Sequence, residues 1–273
     1  MSWIVFALAS GVLNALWTSR IKPRVQTGGA SAFTAGIRWG VAFLLLPFAL
    51  KGLRFFPASW WIATSLSGIL ESLSLLFLTH GIRRDYYATY SISNTSPLFV
   101  VLLAFLLLSE SLGGFLLFGA VLTVAGALFL YYRGHGSWWG LASALAVSLS
   151  KILSKAVIND GNPMTQACVA FACGAAFLTL VSLSERKSGT TAVIFKGIWT
   201  HKILVLLSTL TTVCFYEAVS LGPIGPITIL SRVNLIVGFG LSYYGLKERR
   251  DWKGRLLGAS MILLGIVLVI WKH

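Results

Sequence analysis

The sequence predicts an all-α integral membrane protein, with ten transmembrane helices arranged as two inverted five-helix repeats, residues 1–133 and 137–273. Three observations carry that prediction. Only 11% of the 273 residues are charged, against about 25% in soluble domains, while 56% are hydrophobic and the mean hydropathy is +0.82. Apolar stretches recur along the chain, each close to the ~20 residues a helix needs to cross the hydrocarbon core. Glutamate and glycine landmarks of the first half recur in the same order in the second. A soluble globule has too much surface for so few charges, which sets soluble enzyme folds aside.

The spans follow in order. The first, 3–19, has a possible small-residue cleavage site at Ala7-Leu8-Ala9 but no basic segment before it, so it reads as a retained helix and not a signal peptide. Spans at 30–50 and 58–79 follow, then 86–109 and 111–132, neither of which contains a charge. The second half repeats the series at 138–157, 161–184, 203–221, 224–246 and 255–271. Asn162-Pro163 suits an N-cap and first helical position, while Gly52, Gly81 and Gly134 are expected at helix ends. The connections are short and leave no room for a soluble domain; the most hydrophilic, 185–202, is predicted to hold a short surface helix. Cys168, Cys173 and Cys214 sit in apolar surroundings without CxxC spacing and read as core residues.

The repeat is visible around two acidic residues. Glu110 and Glu248 each end a span and are each followed by two glycines seven residues apart, Gly119 and Gly126, then Gly258 and Gly265. Trp3 and Trp139 open the two halves alike. Five crossings per half insert the second copy upside down relative to the first, and inverted repeats place a ligand site near the membrane midplane between them.

The chain resembles the ten-helix EamA-domain members of the drug/metabolite transporter (DMT) superfamily. The residues carrying the resemblance are Arg38-Trp39 with Ala42, Pro97 thirteen residues before Glu110 in PLFVVLLAFLLLSE, the glycine-rich fifth and tenth spans, and FYEAVSLGPIG in the eighth. It covers essentially the whole chain and implies a transporter, with the sixth, eighth and ninth spans lining a central cavity and Arg38 beside the packing core. One departure is visible. The second copy has Leu235 where the first has Pro97, so it supplies no proline for a helix break there, although Pro223 and Pro226 stand at the start of the ninth span.

Five charges fall well inside spans: Arg38, Glu71, Lys151, Glu217 and Arg232. Each would cost about 2.5–3.5 kcal/mol at a lipid-facing helix centre, so all are expected to face the bundle interior. Arg38 with Glu71, and Arg232 or Lys151 with Glu217, are candidate ion pairs. Lys155 lies near enough to a span end to snorkel. The polar residues Asn14, Trp17, Tyr90, Asn94, Thr95, Tyr216 and Asn234 share these helices. With Glu71, Lys151, Glu217 and Arg232 they make the candidate substrate-binding set, while Arg38, Pro97, Glu110 and Glu248 are assigned to packing. Tyr86, Tyr90, Asn94 and Pro97 follow at helical spacing on one face, and under the repeat Asn94 matches Arg232 approximately.

Most of the 22 basic residues lie at span ends on one side of the membrane, whereas Lys51, Arg54, Lys155 and Lys272 lie on the other. The net charge of +14 therefore points to anionic headgroups and not to nucleic acid. The positive-inside rule puts both termini outside, where the resemblance implies both in the cytoplasm. A multi-pass protein of a bacterial inner or cell membrane is expected. GxxxG spacings at Gly36 to Gly40 and Gly254 to Gly258 read as internal packing, hence a monomer or weak dimer. No Walker A motif is present and no cofactor or metal is expected. The function expected is secondary-active transport of small metabolites by alternating access, amino acids or related zwitterions and organic anions, in the export direction, with protons as a possible coupling ion. The competing classes are a polytopic membrane enzyme acting on a lipid-linked substrate, and a channel.

Overall fold

The computed structural model describes residues 2–25, 30–52, 54–84, 86–131, 137–184, 201–245 and 252–272. Glu248, Gly134, the surface helix expected within 185–202 up to residue 200, and the side chain of Tyr86 lie outside the described residues.

The first half contains α1 (Ser2–Val25), α2 (Ala30–Lys51), α3 (Ala58–Arg84), α4 (Tyr86–Ser93), α5 (Ser96–Leu108) and α6 (Gly114–Tyr131). The second contains α7 (Trp138–Val157), a 3-10 turn (Ile158–Asp160), α8 (Pro163–Ser184), α9 (Lys202–Leu221), α10 (Ile224–Leu230), α11 (Val233–Gly245) and α12 (Trp252–Lys272). Among the described residues nine segments are long and apolar enough to cross a membrane, and Gly114–Leu130 is a shorter apolar helix. The pairs α4/α5 and α10/α11 are each one crossing interrupted near its middle. Local chemistry places several boundaries. Ser137 accepts from Gly140 N–H at 3.3 Å to cap α7, and Asn162 Oδ1 accepts from Met164 N–H at 2.8 Å just before Pro163 opens α8. Gly81 does not end a helix as expected. It lies within α3, where a Cβ would meet Thr89 Cγ2 at 2.4 Å and Trp139 Cβ at 2.7 Å, so its role is close packing.

The halves interlock instead of standing side by side. Helix α3 packs on α7 as α1 packs on α9, α2 packs on α8, and α6 packs on α12. Exchanging the first half for the second maps each of these contacts onto another or onto itself, as an inverted repeat requires. The repeated glycines explain the α6–α12 crossing. A Cβ on Gly126 would lie 2.5 Å from Gly258 O and one on Gly258 2.6 Å from Gly126 O, and Gly119 meets Gly265 O in the same way at 3.0 Å. Only glycine lets two backbones approach so closely.

The outer faces carry exposed Phe43, Phe48, Leu106, Leu107, Leu263 and Leu264, a surface suited to acyl chains. The interior holds fully buried Ala7, Val100, Ala218, Val219, Ile224, Ile227 and Leu230. These lie between the membrane middle and the side where α1 begins and α12 ends, and they close that end of the bundle.

Candidate functional site

Two turns build the site. In the first half the chain leaves helical geometry at Asn94–Thr95, where Pro97 takes one of the first positions of α5 and cannot donate back to the preceding turn. Asn94 donates from Nδ2 to the Tyr90 carbonyl at 2.7 Å, and its backbone N–H reaches the same oxygen at 3.2 Å. In the second half the interruption falls at Ser231–Arg232, although no proline stands there. The lack of a proline does not keep the ninth span continuous. Here the backbone tightens into i to i+3 bonds, Arg232 N–H to Ile229 O at 3.0 Å and Asn234 N–H to Ser231 O at 3.2 Å, while the Arg232 side chain is drawn across the bundle. Its Nη1 donates to Asn94 Oδ1 and its Nη2 to Ser96 Oγ. The repeat match of Asn94 to Arg232 is thus a physical contact between the two turns.

Irregular backbone at membrane depth survives only where its polar groups find partners or line a cavity, and both occur. Ser148 Oγ of α7 lies 3.2 Å from Ser96 O, although its single proton is shared with Ala144 O at 2.6 Å. Gly11 of α1 lets the opposite turn approach, since a Cβ there would lie 2.6 Å from Ser231 O. Between them opens a cavity of about 350 Å³, walled by α1, α2, α3, α4, α7, α8, α9 and both turns.

Asn14, Trp17, Glu71, Tyr90, Asn94, Lys151, Tyr216, Arg232 and Asn234 all line this cavity, and so does Arg38, which the sequence assigned to packing. Thr95 and Glu217 do not. The Thr95 hydroxyl donates to Ile92 O at 2.7 Å, closing its own turn. Glu217 stands one step beyond the cavity face of α9, which is marked by Ser208, Thr211, Thr212, Phe215 and Tyr216. Arg38 Nη2 is 3.3 Å from Glu71 Oε2, the ion pair expected, and the guanidinium also lies 4.9 Å over the Phe171 ring. Among the described residues neither Arg232 nor Lys151 pairs with Glu217. Lys151 Nζ instead sits 5.4 Å over the Phe215 ring, a cation–π distance.

Glu110 and Lys155 act at the closed end. The Glu110 carboxylate accepts from Ile224 N–H at 2.8 Å and Gly225 N–H at 3.3 Å, capping α10 across the boundary between halves. Lys155 does not snorkel: Nζ donates to Val219 O at 2.7 Å, in the last turn of α9, and to the C-cap Gly222 O at 2.8 Å. Pro97 is buried in the first turn of α5.

Sequence reasoning named Lys151 on α7 but missed the residues around it on the same face, and Ser96. Ser143, Val147, Ser150, Lys151 and Ser154 line the cavity, and their spacing is that of one helical face, so the serines were a readable signal around the lysine. Ser96, hidden in the glycosylation-like Asn94-Thr95-Ser96, carried no signal beyond its proximity to Asn94. Among the described residues no cluster of His, Cys, Asp or Glu could hold a metal ion.

A family model described as the EamA-like transporter family matches residues 1–132 and again residues 134–271. No curated protein matches the chain. A solved structure described only as "Crystal structure of protein" is 16% identical, covers 100% of this chain and 99% of its own, and superposes with a TM-score of 0.77, a likeness of fold.

Proposed function

Because the chain belongs to the EamA-like transporter family, we propose that it is a secondary carrier that moves a small polar metabolite by alternating access, the two halves rocking about the cavity at the two turns. The observation that carries this reading is the Arg232 guanidinium of one half bonded to Asn94 and Ser96 of the other, in the cavity wall. A group that bridges both halves at a ligand-sized cavity couples occupancy of that cavity to their relative position. Such coupling needs only that a ligand bind one arrangement better than the other.

The substrate-binding set is Asn14, Trp17, Glu71, Tyr90, Asn94, Lys151, Tyr216, Arg232 and Asn234, joined by Arg38 and Ser96. Thr95 and Glu217 drop out because their side chains lie off the wall. For proton coupling, Glu71 is the carboxylate in position, since it lines the cavity and its side chain is 35% exposed.

The test is counterflow into proteoliposomes with a panel of labelled amino acids and organic acids. Saturable counterflow of at least one compound is expected, with loss in Arg232→Ala. Flux that never saturates would make the protein a channel. Saturable counterflow unchanged in Arg232→Ala would remove Arg232 from the site.

A further inference from the structure

The cavity has an unbalanced wall. Its charged lining residues are Arg38, Lys151, Arg232 and Glu71, three cations against one anion, an excess of two positive charges among the described residues. Glu71 is already engaged by Arg38. The excess therefore falls on Lys151, which sits over the Phe215 ring within electrostatic reach of Glu71 and Arg232, and on Arg232, whose two bonds go to the neutral Asn94 and Ser96.

The unmet hydrogen bonds point the same way. Arg232 Nε, Trp17 Nε1 and Arg38 Nε and Nη1 are buried donors of cavity-lining residues without a partner; Asn234 Oδ1 is a single orphan acceptor among them, which a hydroxyl or ammonium and not an anionic oxygen would satisfy. Buried polar groups are nearly always satisfied, so an orphan set gathered on one cavity needs an explanation. A ligand rich in anionic oxygen supplies acceptors to these donors and charge to the two cations together.

Resting on the reading of this cavity as the substrate site, we propose that the carrier's substrate is a small organic acid with two negative charges on oxygen. Its anionic groups are taken by Lys151 Nζ and Arg232 Nε, the Trp17 indole N–H is a third donor, and its carbon skeleton lies against Phe171 and Phe215. A zwitterion fits this wall worse. Its ammonium would meet two uncompensated cations, and the one carboxylate present is neutralised by Arg38. A dianion returns the wall to neutrality, which matters more at membrane depth than in water.

The experiment uses purified full-length protein and a ligand series in which only charge changes: succinamide, succinamate and succinate, with glycerol phosphate as a second dianion and alanine as the zwitterion. Thermal unfolding reports binding. Succinate is expected to stabilise at about tenfold lower concentration than succinamate, a charge-pair attraction discounted for desolvation, with succinamide and alanine without effect. A response to glycerol phosphate but not succinate assigns the substrate to phosphate monoesters, and the reverse to dicarboxylates. In Lys151→Gln the preference should fall by one charge, so that succinamate equals or beats succinate. The proposal is overturned by stabilisation that ignores charge, by alanine matching succinate, by no response to either dianion, or by a succinate response that survives both Lys151→Gln and Arg232→Gln. Failure here is separable from failure of the carrier reading. Saturable counterflow of a zwitterion that Arg232→Ala abolishes would keep the carrier and its site while sinking the dianion.

Discussion

Replacing Glu110 isolates the closed end of the bundle. The α10 segment is seven residues long and wholly buried, so its first N–H groups have no access to water and need an acceptor. Glu110 provides one oxygen to Ile224 N–H at 2.8 Å and the other to Gly225 N–H at 3.3 Å. A hydrogen bond to a charged group contributes about 1.5–3 kcal/mol, and a carboxylate at a helix start adds about 0.3–1 kcal/mol. Counting the longer bond at half weight, Glu110→Ala should cost about 3 kcal/mol. Glu110→Gln keeps one neutral acceptor and should cost about 1 kcal/mol.

The cost does not fall equally on all conformations. Glu110 belongs to the first half and α10 to the second, so the contact holds the halves together at the end that is closed here. An arrangement opened at that end has already lost the contact, and the full ~3 kcal/mol, about 100-fold in population, moves the balance toward it. Lys155 still holds the α9 carbonyls in the variant, which confines the effect to α10. The assay places a cysteine at Ser154, a buried lining position toward the closed end, with Cys168, Cys173 and Cys214 replaced by alanine. A membrane-impermeant thiol reagent is then applied from the side of the termini. Glu110→Ala should raise the labelling rate steeply and Glu110→Gln slightly. Unchanged labelling with unchanged thermal stability would show that the α10 N–H groups do not depend on this carboxylate, and the reasoning would fail.

Three further outcomes follow from the same geometry. Gly126→Ala should destabilise by about 1–3 kcal/mol through overpacking, because the new Cβ meets the backbone oxygen of Gly258 at 2.5 Å, whereas Gly114→Ala, with nothing within 4 Å, should be near neutral; equal melting temperatures would refute the seam. Breaking a buried ion pair costs about 3–5 kcal/mol, at the low end here because the Glu71 side chain is 35% exposed. Glu71→Ala should cost more than Arg38→Met, since it strands a guanidinium 4% exposed while the reverse change leaves a carboxylate at the cavity wall; thermal unfolding of both decides the order. Glu217→Gln should leave counterflow unchanged because Glu217 does not line the cavity, and loss of counterflow would return it to the site.

The spans were legible because hydropathy is a one-dimensional signal, and windows such as 111–132 hold no charge to interrupt it. The α6–α12 seam was legible too, because close backbone approach demands glycine, and the sevenfold spacing of Gly119 with Gly126 and of Gly258 with Gly265 places each pair on one face. The ninth span's interruption was not. A proline announces a break by its missing donor, but the turn at Ser231–Arg232 is drawn by a long side chain to acceptors that are 136 and 138 residues away in sequence. Glu217 falls outside the cavity lining for a readable reason. One helical residue turns about 100°, so the neighbour of a lining Tyr216 points off the face that Ser208, Thr212 and Phe215 mark.

The five charges inside spans weigh differently when counted along the sequence and when sorted by position. Counted along the sequence they sum to three positive and two negative, a mixture that suits zwitterions. Sorted by position the balance in the cavity wall shifts toward the cations. Arg38 and Glu71 cancel locally, and Glu217 stands off the wall, so its charge is not available to a ligand. Lys151 gains an aromatic face, worth about 0.5–2 kcal/mol, and a Glu71 carboxylate already paired with Arg38, against an insertion cost of about 2.5–3.5 kcal/mol. Arg232 gains two neutral acceptors and keeps an unmet donor. The uncompensated cost therefore gathers on two cations in one cavity wall, where a bound anion would relieve it most.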